Sequence, residues 1–229
     1  MYLENNNRIA KNSIMMFFRM LSTLFISLYT SRIILDALGI VDFGIFNVVG
    51  GVVAMVSFLN MTLSGATSRF LTYELGTSNN DKLKKVFSGA ITIALIVALF
   101  VFILLETFGL WFLESKLIIP ENRIFAARIV YQISILSCIT AILRIPYHTA
   151  IIANERMSIF ALISIIEAIL KLIIVFLLVI GDVDKLILYA GLMLIINIII
   201  SSIYILYSYK TFDSSTFKPS SDIEIIKPM

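Results

Sequence analysis

Glu167 and Lys171 stand four residues apart inside SIIEAILKLIIVFLLVI, residues 164–180, a run otherwise oily enough to enter a bilayer. At that spacing an acid and a base share one helix face, and an acid N-terminal to the base is the orientation that favours pairing. Each charge at mid-bilayer costs about 2.5–3.5 kcal/mol on an insertion scale, while each Leu, Ile, Phe or Val returns only about 0.3–0.6 kcal/mol. The oily remainder can just offset the pair, provided the charged face turns away from lipid and into a bundle. Two readings follow: a buried ion pair that fixes helix register, or a functional pair in which Lys171 binds substrate and Glu167 binds a coupling proton or sodium ion.

Other polar groups fall inside apolar runs. Arg19 lies about two turns into the first run, and Arg144 lies near the end of the fourth, just before Pro146, which is expected to kink or end that helix. Either arginine could snorkel to an interface or face a ligand. Glu106, near the end of the third run, is a second candidate for ion coupling. Gly50, Ala54, Ser57, Asn60, Ser64 and Ser68 recur at three- and four-residue intervals, a small and polar stripe on one helix face. Such a stripe serves close helix packing or lines a wet cavity; on the second reading Asn60 is a substrate-binding residue. Similar rows run through Ser134, Ser137, Ala141, Arg144 and His148, and through Asn197, Ser201, Tyr204 and Ser208. The embedded bases Arg19, Arg144 and Lys171 outnumber the embedded acids Glu106 and Glu167, which favours an anionic ligand. Arg32 and Asp36, also four apart, are expected to form an interfacial ion pair.

The elements that position these groups follow from hydropathy. Of 229 residues, 59% are hydrophobic and 14% charged, and the mean hydropathy is +0.99, values outside the range of soluble domains. A hydrocarbon core of about 30 Å needs about 20 apolar residues per helical crossing. Runs of that kind at 14–35, 43–73, 86–111, 130–148, 159–180 and 186–209 predict an all-α integral membrane protein, a six-helix lobe over 1–209. The uninterrupted runs are too long for the strands of a membrane barrel. The first lacks a small-residue cleavage site and is expected to remain as a helix. Lys and Arg concentrate in the N-terminal lead, the 74–85 connection, the 151–158 link and the tail after 209. Fewer lie on the other side, at Arg32, Lys116, Arg123, Arg128 and Lys185, so both termini are expected in the cytoplasm.

Several activities find no residues to carry them. No P-loop, HExxH or nucleophile elbow is present, and nothing points to nucleic acid or to enzyme catalysis. Cys138 is the single cysteine and His148 the single histidine, so neither a disulfide nor a metal centre is expected, and no cofactor is called for.

LGIVDFGIFNVVGG (38–51), SGATSRFLTYELG (64–76) and PYHTAIIANERMSIFALISIIEAILKL (146–172) resemble the N-terminal half of bacterial polysaccharide and oligosaccharide flippases. These belong to the superfamily of multidrug, oligosaccharidyl-lipid and polysaccharide exporters, whose members have two six-helix lobes. The resemblance runs along almost the whole chain. It implies flipping of an undecaprenyl-pyrophosphate-linked repeat unit across the cytoplasmic membrane by alternating access, without bond breaking. It implies as partners that lipid-linked oligosaccharide, the bilayer and a second lobe, toward which 210–229 would lead, with a further helix starting near Asp222. Guanidinium and ammonium groups match a diphosphate, and hydroxyl and amide groups suit sugars; Arg19, Arg144 and Lys171 are the groups expected to attract the diphosphate. The alternatives are a multidrug-type exporter of organic cations, whose cavity should be acidic, and a half-lobe acting as a membrane scaffold.

Overall fold

A computed structural model describes residues 2–77, 79–178 and 184–212, with the backbone alone at 2–9, 11 and 57. The described residues are helical apart from short connections, and no strand occurs among them. The elements are α1 (Tyr2–Ala54), a 3-10 turn (Met55–Ser57), α2 (Phe58–Thr77), α3 (Asn80–Leu104), a π turn (Leu105–Gly109), α4 (Leu110–Lys116), a 3-10 turn (Glu121–Arg123), α5 (Ile124–Ala153), α6 (Met157–Leu177) and α7 (Lys185–Thr211).

Five stretches are long and apolar enough to cross a membrane: Asn12–Ala54, Asn80–Lys116, Glu121–Ala153, Met157–Leu177 and Lys185–Thr211. By length and composition this is a multi-pass membrane protein. The expected second run, 43–73, is not one helix. Its first part continues from α1, and its second part forms most of α2, whose Asn60, Thr62, Ser64, Thr67, Ser68 and Arg69 keep it below the hydropathy of the other five. Within α1, Gly39 adopts φ 76 and ψ 168, a backbone region essentially restricted to glycine. Residues on both sides of Gly39, among them Arg19, Ser27, Phe43 and Asn47, line one cavity.

Helix boundaries move outward from the sequence expectations. The polar N-terminal lead belongs to α1 from Tyr2. The basic 74–85 connection is helical at both ends, with Asn79 capping α3 by accepting the amide of Lys82 at 3.1 Å. Pro146 does not end its helix; α5 runs on to Ala153, since proline removes one backbone donor and the turns beyond re-form. The Asp222 segment and residues 179–183 lie outside the described residues.

In α5 the side chains of Val130, Tyr131, Ile135 and Ile142 are fully buried, and α5 packs against α1, α2, α3 and α7. One apolar cluster joins α1, α3, α5 and α7 around Val49, Val101, Val130 and Leu186. A second joins α1, α6 and α7 around Ile34, Ile163, Val175 and Ile200. The outside is apolar too, with Phe18, Phe25, Leu99, Phe108 and Trp111 exposed, as expected of a surface solvated by lipid.

Candidate ligand cavity

The Glu167–Lys171 pair forms, with Lys171 Nζ donating to Glu167 Oε1 at 2.7 Å. The two side chains remain 24% and 39% exposed because they stand on the wall of a cavity of about 540 Å³ between the limbs of α1, α6 and α7. Arg19, Thr23, Ser27, Asn47 and Ser164 share that wall. Several hydroxyls there are already committed: Thr23 donates to the Arg19 carbonyl at 2.8 Å, and Ser164 to the Phe160 carbonyl at 2.9 Å. The open polarity of this cavity therefore comes mainly from the charged side chains.

Arg144 and Asn60 do not line the Lys171 cavity. With Ser64, Ser68 and His148 they line a cleft of about 560 Å³ between α2 and α5. A smaller cleft of about 280 Å³ adjoins both. It shares Phe46 and Met193 with the Lys171 cavity and Asn60 and Ala141 with the Arg144 cleft. Gly50, Ser134, Ser137 and Asn197 from the expected stripes line it. Arg19 and Lys171 thus share one cavity and Arg144 lines an adjoining one, with a row of aromatic side chains between the two arginines. The Arg19 guanidinium carbon lies 4.7 Å from the centroid of Phe160. Phe160 meets His148 edge-on at 5.0 Å, and His148 meets Tyr204 at 5.5 Å. Arg144 closes the row, 5.5 Å from the Tyr204 centroid.

Four buried side-chain atoms have no hydrogen-bond partner among the described residues: Arg19 Nε, Arg144 Nη1, Asn60 Oδ1 and Ser201 Oγ. An unmade buried hydrogen bond costs about 1–3 kcal/mol, and more on a charged group. All four belong to residues singled out in the sequence, and Arg19, Arg144 and Asn60 each line a cavity. No protein-family model, curated protein or solved structure matches this chain. What the cavities take must be argued from their chemistry.

Glu106 lies elsewhere. It sits in the π turn, where the Gln132 amide donates to Glu106 Oε2 at 3.3 Å, and it lines none of the three chambers. No group of histidine, cysteine and acid side chains able to hold a metal occurs among the described residues.

The expected Arg32–Asp36 pair is absent. Both side chains are exposed and no ion pair joins them, consistent with the roughly 0–1 kcal/mol that such a pair gains against side-chain entropy. The pairing at that end of the bundle is made by groups distant in sequence. Arg123 Nε donates to Asp42 Oδ1 at 2.7 Å and Nη1 to Asp184 Oδ2 at 2.6 Å, with Nη2 also on the Asp42 carboxylate. Asp184 caps α7 by accepting the amides of Leu186 at 3.0 Å and Ile187 at 3.3 Å. Burial alone would raise the carboxyl of Asp184. The Arg123 guanidinium and the two amides outweigh burial and hold it below the ordinary carboxylate value. This cluster ties together the chain after Gly39, the chain before α5 and the chain before α7.

Proposed function

We propose that this chain is the six-pass N-terminal lobe of an exporter that flips a polyprenyl-diphosphate-linked oligosaccharide across the cytoplasmic membrane. The observation that carries this reading is a pair of half-buried arginines, each with one buried nitrogen lacking a partner, beside adjoining polar cavities. A soluble-type core would have neutralised them. Planar guanidinium donors match phosphate oxygens in geometry and charge, and the unmade acceptor of Asn60 suits a sugar hydroxyl. Because Glu167 is occupied by Lys171, the charge left over is positive, which weighs against an organic cation.

The six-pass reading rests on Gly39 and on the Arg123 cluster. The 43 residues of Asn12–Ala54 would extend about 65 Å as a straight helix, over twice the hydrocarbon thickness of about 30 Å. Two limbs that meet at Gly39 and line one cavity fit a chain that crosses and returns through α2. In that arrangement the three segments joined by Arg123 are the connections after the first, third and fifth passes, all at the outer end. Both termini then lie in the cytoplasm, in agreement with the Lys and Arg distribution. A second lobe would close the cavities from the other side, and alternating access would be the exchange between closures.

Replacing Lys171 by Ala in the full-length protein tests the reading. It leaves Glu167 as an unpaired negative charge in the cavity, so export of surface polysaccharide is expected to fall about tenfold, the equivalent of about 1.4 kcal/mol. Adding Glu167→Gln to the same protein is expected to restore part of it. Unchanged export at equal abundance in the Lys171→Ala protein would remove the pair from the mechanism.

A further inference from the structure

The two unneutralised guanidinium groups are held by rings, not by acids. Arg19 on α1 rests on Phe160 of α6, and Arg144 on α5 rests on Tyr204 of α7, while His148 spaces the two rings edge-on. A cation over an aromatic face is attracted by the ring quadrupole, and a ring brings no anionic oxygen to neutralise the guanidinium. A carboxylate in the same place would consume donors and charge together, as Glu167 does for Lys171 at 2.7 Å. The outcome is visible on both arginines, each of which keeps one buried nitrogen without a partner, Nε of Arg19 and Nη1 of Arg144.

We infer that Phe160 and Tyr204 are positioning residues that keep Arg19 and Arg144 oriented and unpaired for a diphosphate-type anion. The inference rests on the reading given under Proposed function and deepens it. The choice of two phosphates over one comes from the placement of the cations. They enter from separate helices, one facing the Lys171 cavity and the other the Arg144 cleft, and the two rings that support them pack edge-on against the same imidazole. A second anionic charge in that field gains attraction that a single phosphate forgoes. Removing a ring leaves both arginines in place but frees them to turn toward Glu167 or water, so discrimination between diphosphate and monophosphate should suffer more than the fold.

The test is binding to the detergent-purified chain of geranylgeranyl diphosphate, geranylgeranyl monophosphate and inorganic pyrophosphate. The parent protein is expected to prefer the prenyl diphosphate over the monophosphate about tenfold, or about 1.4 kcal/mol. Phe160→Leu and Tyr204→Leu are expected to erase most of that preference, whereas Phe160→Tyr and Tyr204→Phe, which keep a ring, should retain it. Should a leucine variant fail to fold, Met at the same position serves instead, since its flexible thioether fills space without a π face. Ring-less variants that keep the full preference would overturn the positioning role and leave the flippase reading standing. A parent protein that binds neither prenyl phosphate would overturn both. Pyrophosphate bound as tightly as the lipid would support the ring-held anion site and count against a lipid-linked ligand.

Discussion

Replacing Arg19 and Arg144 together by Gln is expected to lower export of the surface polysaccharide by about 10²-fold or more at equal abundance. A hydrogen bond to a charged group contributes about 1.5–3 kcal/mol, so losing one from each arginine amounts to about 3–6 kcal/mol, with each 1.4 kcal/mol worth a factor of ten. Glutamine keeps the length and polarity of the side chain and removes the charge and the fork of donors. What separates this from a folding defect is the expected sign on stability. Arg19 Nε and Arg144 Nη1 are buried without partners, so uncharged replacements relieve a desolvation cost, and the double variant should melt no lower than its parent. Loss of export with undiminished melting temperature is the expected pattern. Full export by the double variant would mean that the two arginines are structural.

Gly109→Ala is expected to destabilise the lobe by about 3 kcal/mol, as measured by unfolding in detergent. A Cβ at Gly109 would collide with the Tyr131 hydroxyl, which donates to the Leu105 carbonyl at 2.6 Å. That hydrogen bond occupies a backbone acceptor of the π turn, whose Leu110 amide also bonds back to Leu105. The methyl group must displace a fully buried tyrosine, adding an overpacking cost of about 1–3 kcal/mol to a lost hydrogen bond of about 1–3 kcal/mol. Tyr131→Phe alone should lose only the hydrogen bond. In the double variant the collision with the hydroxyl is gone and only a tight 3.2 Å approach to the ring carbon is left, so the two effects should fall short of additivity by about 2 kcal/mol. Strict additivity would mean that Gly109 and Tyr131 do not meet.

The sequence displayed local relationships well and distant ones poorly. Glu167 and Lys171 lie one helical turn apart, so helix geometry alone predicted a shared face. The same geometry overreached at Arg32 and Asp36, where both side chains have free access to solvent or headgroups and little is gained by pairing. Arg144 stands about two and a half turns before the end of α5, not near it. The hydropathy run stopped at 148 because Arg144 and His148 are polar, although both turn toward the interior. Asp42, Arg123 and Asp184 are separated by 81 and 61 residues, and no periodicity connects them. Phe160 read as an ordinary apolar position and Tyr204 as one member of a polar row; their role depends on which arginine lies above each ring. Gly109 sat within an apolar run and Gly39 in the gap between the first two; a close approach to Tyr131 at the one and a positive φ at the other are backbone facts that hydropathy does not record.

The central claim is that inward-facing charges make a wet, positively biased compartment, and thiol labelling tests it most directly. In a Cys138→Ser background, Ser27→Cys places a thiol on the wall of the Lys171 cavity, while Leu28→Cys places one at an exposed apolar position of the same helix. Rates with anionic sulfonatoethyl and cationic trimethylammonioethyl methanethiosulfonates, each normalised to its reaction with 2-mercaptoethanol, are then compared. The prediction is that the Ser27→Cys thiol reacts readily and several-fold faster with the anionic reagent, that the Arg19→Gln, Arg144→Gln changes abolish this bias, and that the Leu28→Cys thiol reacts with neither. A faster cationic reaction at position 27, or equal protection at both positions, would contradict it.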